Sequence, residues 1–142
     1  MPRPECPPEE NILRAIHTAH WDERRNRWSS SLFKGPGTSV SRLAILGMTE
    51  LFAIFHRDLD SPPKNRRVVG GGEINIGLLQ EIGRGFQDKP TDLTVEEDPL
   101  ETNPAHAEIP QDISKGLAFA IIRALTLHND PLATEPHLGL NL

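Results

Sequence analysis

The feature that most constrains the fold is the periodic segment from about Asp112 to His128. Its inward-facing positions recur at steps of three or four residues: Ile113, Leu117, Ile121, Leu125 and His128. This spacing is typical of an amphipathic helix, and Pro131 lies just beyond its predicted end. An apolar stripe of this length must be buried against another layer, so we expect the helix to cover one face of a sheet.

The other predicted elements are short. Apolar runs of strand length occupy residues 12–16, 28–33, 66–74, 93–96 and 105–109. Two helices are predicted over residues 50–56, capped by Thr49, and over residues 76–82, capped by Asn75 and stopped by Gly83. Residues 39–46 fit either a strand or a turn of helix. This uneven order favours an α+β fold with a small mixed or antiparallel sheet of about five strands and three helices.

The distribution of prolines suggests the domain limits. Residues 1–11 are polar and rich in proline, which predicts a flexible arm unless it docks on the domain or on a partner. We expect a single α+β domain over residues 12–129, since 142 residues suffice for one core. Residues 130–142 carry no periodic pattern and are predicted to form a C-terminal tail.

Charge and composition narrow the partners and the compartment. The net charge of −5 argues against nucleic acid as a partner, although a local basic patch stays open. No window approaches the roughly 18 consecutive apolar residues of a membrane span, so no membrane association is expected. Cys6 is the single cysteine, which excludes an intramolecular disulfide and a multi-cysteine zinc site and favours a reducing cytoplasmic setting. The first ten residues lack the apolar core of a secretory signal.

The sharpest polar pair is His106 with Glu108, in a stretch from Asp98 to Pro110. On a strand over residues 105–109 both side chains point to the same side. A carboxylate beside an imidazole can raise its basicity and fix its tautomer, which a general base or a metal ligand requires. The alternative is a hydrogen-bonded pair that pins the strand.

Two further groups of residues are candidates for a binding site, one for a metal ion and one for a phosphate. His17 and His20, joined by His106 and Glu108, would provide four ligands of the kind zinc accepts, if the fold united them. The alternative is that these histidines lie in loops and at the surface. The run Gly70-Gly71-Gly72 before a capped helix could cradle a phosphate, but Glu73 would repel the anion, which favours a bulge or a close strand approach.

Arg14, the serines at positions 29–31 and Glu108 follow the residue order of ADP-ribosyltransferase-like domains, which the chain resembles in these residues. The resemblance implies an NAD site in which Arg14 binds phosphate, a serine such as Ser30 braces the site and Glu108 stabilises the ribose cation. The chain departs from that pattern in having no tyrosine and in carrying His106 where a second acid would stand.

A longer resemblance rests on the Ser-Ser-x-x-Phe motif at residues 29–33, Ser39-Val40 and the Asn-Pro-Ala-His motif at residues 103–106. In these motifs the chain resembles a family of short, uncharacterised bacterial proteins, over residues 12–127. The resemblance implies a one-domain bacterial cytosolic protein and assigns no catalytic residue.

Together these patterns give two functional hypotheses. The first is a small bacterial protein-binding or accessory module that binds a protein partner or a second copy of itself, with the arm and the tail as contact elements. The alternative is an enzyme acting on NAD or another nucleotide, with His106, Glu108, Arg14 and Ser30 as catalytic residues. The sequence identifies no cofactor.

Overall fold

The computed structural model describes residues 2–133 and has an α+β fold. Its strands are β1 (Asn11–His17), β2 (Trp21–Asp22), β3 (Arg27–Trp28), β4 (Thr38–Arg42), β5 (Val68–Asn75), β6 (Glu96–Glu97), β7 (His106–Ile109) and β8 (Thr126–Asn129). The helices are α1 (Met48–Leu59), α2 (Ile76–Gly85) and α3 (Lys115–Ala124). Short 3₁₀ helices cover Thr18–His20, Ser30–Leu32 and Pro62–Lys64.

Six strands form one sheet in the order β6-β7-β4-β1-β5-β8, and β2 and β3 form a separate hairpin. Every strand pair in both sheets is antiparallel. The predicted fold class and the three helices are therefore confirmed, but the main sheet has six strands where about five were expected.

The sixth strand comes from the end of the segment predicted as one long helix. Ser114 caps α3 by accepting a hydrogen bond from the amide of Leu117, and the helix ends at Ala124. Residues 126–129 then pair with residues 70–73 of β5. Periodicity alone could not separate these two elements, because pairing with a neighbouring strand overrides local helical preference.

The predicted strand over residues 28–33 is also shorter than expected. Only Trp28 belongs to a strand, and Ser29 instead caps the 3₁₀ helix by accepting from the amide of Ser31. Serine favours such local side-chain bonds over a strand ladder, which explains the difference.

The sheet has a different cover on each side. One side carries α2, α3 and the 3₁₀ helix at residues 30–32, and its core includes Ile12, Val40, Ala107 and Ile121. Among residues 2–133 the other side carries α1 alone, and its core includes Leu13, Ala15, Phe52 and Phe55. Alternate residues of the same strands therefore serve two layers.

The glycine run lies inside β5 and leaves no room for an anion. A Cβ on Gly71 would lie 2.8 Å from Leu13 Cδ1, and a Cβ on Gly72 would lie 2.7 Å from Leu125 Cδ1. The irregular step in the ladder falls between Ile16 and His17, beside the run. A close approach of both layers thus explains the glycines, and Asn75 caps α2 as predicted by accepting from the amide of Leu78.

The N-terminal residues lie along the β6 edge of the sheet. The amide of Glu97 donates to Pro4 O at 2.8 Å, and the amide of Cys6 donates to Val95 O at 2.7 Å. Glu10 forms an ion pair with Arg42 at 2.7 Å. Beyond residue 133 the predicted tail lies outside the described residues, and within residues 2–133 no helix is both long and apolar enough to cross a membrane.

Candidate functional site

A groove opens where α1 stops covering the sheet, above strands β4 and β7. Its volume is about 290 Å³. Apolar side chains make up most of its walls: Leu13, Ala15, Ile54, Phe55, Leu59 and Leu100. Its polar lining is formed by Arg14, Ser39, Ser41, Asp58, Asn103 and His106. A mostly apolar concavity with a few convergent polar groups is the usual form of a binding site.

The groove floor contains His106, which is hydrogen-bonded at both ring nitrogens. Its Nδ1 lies 2.9 Å from the main-chain oxygen of Asp98 and 3.2 Å from the carboxylate Oδ2 of the same residue. Its Nε2 lies 3.1 Å from Ser39 Oγ. Ser39 and Ser41 face the groove because side chains alternate along β4 and Val40 between them packs in the other layer, and the register against β7 places His106 opposite Ser41.

The loop over residues 98–105 is held by Asn103, which is buried. Asn103 Nδ2 donates to Ser41 Oγ at 3.1 Å, and its Oδ1 accepts from the amide of Ala105 at 3.0 Å. The loop also closes on itself, because Leu100 and Asn103 exchange two main-chain hydrogen bonds. These contacts fix Leu100 at the groove wall and His106 at its floor.

Glu108 shares the sheet face of His106, yet the two side chains have different partners. Arg3 Nη2 donates to Glu108 Oε1 at 2.9 Å and also lies 3.3 Å from Glu96, while Arg3 Nη1 lies 3.3 Å from Asp98. The Glu108 hydrogen bond is the main cause that raises the pKa of Arg3. Glu108 does not line the groove.

Arg14 reaches the opposite side of the sheet. It borders the groove, but its Nε donates to Leu32 O at 2.8 Å and its Nη1 donates to Ser39 O at 3.0 Å. Loss of water around the guanidinium lowers the pKa of Arg14 to about 10. No carboxylate within residues 2–133 forms an ion pair with Arg14.

Ser30 lies in the 3₁₀ helix that packs against α3, on the same side of the sheet as the Arg14 guanidinium. The four residues predicted as catalytic therefore divide into two groups. His106 and Glu108 lie on the α1 side, Arg14 and Ser30 on the α3 side, and of the four only His106 and Arg14 border the groove.

His17 and His20 lie at the end of β1, with their rings stacked at a centroid distance of 3.7 Å. His20 Nδ1 accepts from the amide of His17, and His17 Nδ1 is buried without a partner among the described residues. Burial lowers the pKa of His17 to about 4 and of His20 to about 2. No cluster of three or more His, Cys, Asp or Glu residues within positions 2–133 could hold a metal ion, so these histidines do not join His106 and Glu108.

A second titratable cluster connects α1 to the end of the described chain. His56 Nδ1 lies 2.6 Å from Asp60 Oδ2, and His56 Nε2 lies 2.5 Å from Asp130 Oδ2. Asp60 Oδ1 also accepts from the amide of Val68. Desolvation acts to lower the pKa of His56, but the hydrogen bonds to the two carboxylates outweigh it and raise that pKa.

Reasoning from the sequence missed Ser39, Asp98 and Asn103. A usable signal was the alternation of Ser39 and Ser41 around Val40, which a strand converts into one polar face. Asp98 was within the stretch that was singled out, but only the turn between β6 and β7 brings it to His106. Comparisons with protein-family models, curated proteins and solved structures find no match to this chain.

Proposed function

We propose that this chain is a protein-binding or accessory module, and that its groove receives an apolar anchor from a protein partner. The observation that carries the proposal is the groove itself, which is open, mostly apolar and about 290 Å³ in volume. That is near the lower end of the ~300–1,000 Å³ typical of ligand sites, and suits a side-chain anchor better than a dinucleotide.

Acidic residues at the rim of the groove favour a partner that carries a basic residue beside its apolar anchor. Asp58 lines the groove and Glu101 follows Leu100 in the loop, and both are exposed. Within residues 2–133 Glu101 has no ion-pair partner, whereas Asp58 is paired with Arg57. A partner segment with a lysine or arginine next to its apolar residue would complement this rim.

The NAD-processing alternative has weaker support. An enzyme of that kind needs its phosphate-binding arginine and its glutamate in one cleft, whereas Arg14 points away from the groove and Glu108 is held by Arg3. The bacterial, cytosolic setting remains a proposal based on the sequence motifs and the single cysteine.

Selection from a phage-displayed library of random dodecapeptides tests the proposal. We expect enriched peptides that combine a leucine or aromatic anchor with an adjacent basic residue. Leu100→Asp should weaken their binding at least about tenfold, because it puts a charge at the groove wall. Leu78→Asp is the matched control, since Leu78 on α2 is 41% exposed and Leu100 is 44% exposed.

Equal binding of the selected peptides to the Leu100→Asp protein would contradict the proposal. The nucleotide alternative is tested in parallel by thermal unfolding with NAD. A ligand at about 100 times its dissociation constant stabilises the folded state by about 2.7 kcal/mol, so true NAD binding would produce a clear rise in the melting temperature.

A further inference from the structure

Ser39 and His106 line the groove and form, with Asp98 behind them, a hydrogen-bonded chain that the proposed function does not use. Ser39 Oγ lies 3.1 Å from His106 Nε2, and His106 Nδ1 lies 2.9 Å from the main-chain oxygen of Asp98 and 3.2 Å from its carboxylate. We infer that Ser39, His106 and Asp98 form an acyl-transfer centre that hydrolyses a carboxylic ester with an apolar acyl chain. The inference uses the same groove but requires no protein partner.

The hydrogen bonds select the tautomer that such a centre needs. Both acceptors next to Nδ1 belong to Asp98, so the ring proton is on Nδ1. The lone pair of Nε2 then points to Ser39 Oγ and can accept its proton. This is the arrangement in which a histidine acts as general base and an aspartate fixes its orientation.

Asp98 is itself held in place. Arg3 Nη1 lies 3.3 Å from Asp98 Oδ1, while the other carboxylate oxygen, Oδ2, faces the imidazole. The amide of Asp98 donates to His106 O at 3.1 Å, which fixes the main chain of both residues relative to each other. The orienting group therefore requires no rearrangement before reaction.

The groove provides a place for the acyl chain of such a substrate. Leu13, Ala15 and Phe55 line it beside Ser39, so an aliphatic acyl chain would be shielded from water there.

The reaction balances with water as the only co-substrate. Ser39 Oγ bonds to the carbonyl carbon while its proton passes to Nε2 of His106, and the carbonyl electron pair moves onto oxygen. Collapse of this intermediate breaks the ester C–O bond, and the alcohol leaves with the proton from Nε2. Water then attacks the acyl-Ser39 ester, gives a proton to Nε2 and releases the acid as that proton returns to Ser39 Oγ.

Labelling of the wild-type chain with a fluorophosphonate probe, followed by peptide mapping, tests the centre directly. We expect the label on Ser39, together with hydrolysis of p-nitrophenyl butyrate above the buffer rate. Ser39→Ala should remove the label and lower kcat at least about a hundredfold. Ser31→Ala, at an exposed serine outside the groove, should change neither measurement.

A structural role of Ser39 would lower the melting temperature of the Ser39→Ala protein without any labelling of the wild type. Absence of label on wild-type Ser39, or an equal rate in the Ser39→Ala protein, would overturn the inference. Peptide binding by the Ser39→Ala protein is measured separately, so loss of hydrolysis and loss of partner binding are distinguishable.

Discussion

The two sides of the central sheet are built from the same strands but differ in how they are closed. In β4 and β7, Val40, Ala107 and Ile109 face α2 and α3 and are fully packed. The alternate residues, among them Ser39 and His106, face the α1 side, where α1 is the single covering helix in the part of the chain that the structure describes and leaves a groove. The side under α2 and α3, here called the closed side, thus maintains the fold. The side under α1, here called the half-covered side, keeps polar groups accessible to a ligand.

The largest effect should come from the closed side. Ile121 on α3 is fully buried, and Ile121→Ala removes its side chain from a core that cannot collapse around the gap. We expect a loss of about 2–5 kcal/mol in the free energy of unfolding, measured by urea denaturation. Leu78→Ala, at an exposed position of α2, is the control and should cost no more than about 0.5 kcal/mol.

A loss for Ile121→Ala as small as that of the Leu78→Ala control would mean that α3 does not maintain the core. The contrast between the closed and the half-covered side would then fail at its first step.

His56 tests whether α1 is held by its charged contacts as well as by packing. Because its folded pKa is raised, protonated His56 contributes stability that is complete below its unfolded pKa of about 6.5 and is lost as the pH rises through the folded value. His56→Gln should therefore lower the free energy of unfolding by about 1.5–3 kcal/mol at pH 5.5. At pH 9 the loss should be smaller. Denaturant unfolding at both pH values measures the difference.

The reference for this experiment is the wild type at the same pH, because His17 and His20 make the protein less stable as the pH falls, whereas His56 makes it more stable. Their folded pKa values of about 4 and about 2 lie below the unfolded value. The unfolded chain therefore binds more protons as the pH falls below about 6.5, and wild-type stability declines there. A His56→Gln cost that is equal at both pH values would show that the imidazole is not charged between Asp60 and Asp130.

Alanine substitutions at two glycines of α2 distinguish the effect of packing on the closed side from the effect of helix propensity. A Cβ on Gly83 would lie 2.5 Å from the carbonyl oxygen of Thr91, whereas a Cβ on Gly85 would meet no atom of the described residues within 4 Å. Alanine favours the helix at both positions. We expect Gly83→Ala to be less stable than Gly85→Ala by about 1–3 kcal/mol, because the main chain at Thr91 must shift. Thermal unfolding of the two variants in parallel gives this difference.

The sequence predicted the fold class because alternation and helical spacing are local properties. The cap at Asn75 and the burial of Leu117 and Ile121 follow from such local rules, whereas the predicted cap at Thr49 is wrong, since α1 begins at Met48 with Gly47 as its N-cap. Predicting the site failed where long-range pairing decides the outcome. The register of β4 against β7 brings Ser39 to His106, and the register of β1 against β4 pairs Leu13 with Ser41, which leaves Arg14 on the other side. No single-residue pattern encodes which strands become neighbours.

The smallest effect on stability should come from the groove. Leu100 is 44% exposed and lies in a loop whose shape is maintained by Asn103 and by main-chain hydrogen bonds. Leu100→Ala should therefore change the free energy of unfolding by no more than about 0.5 kcal/mol, since little buried surface is lost. The same change removes an apolar wall and should weaken the selected peptides several-fold, as measured by isothermal titration calorimetry. A Leu100→Ala protein that loses stability as Ile121→Ala does would place Leu100 in the core rather than at a binding surface, and the distinction between the two sides of the sheet would disappear.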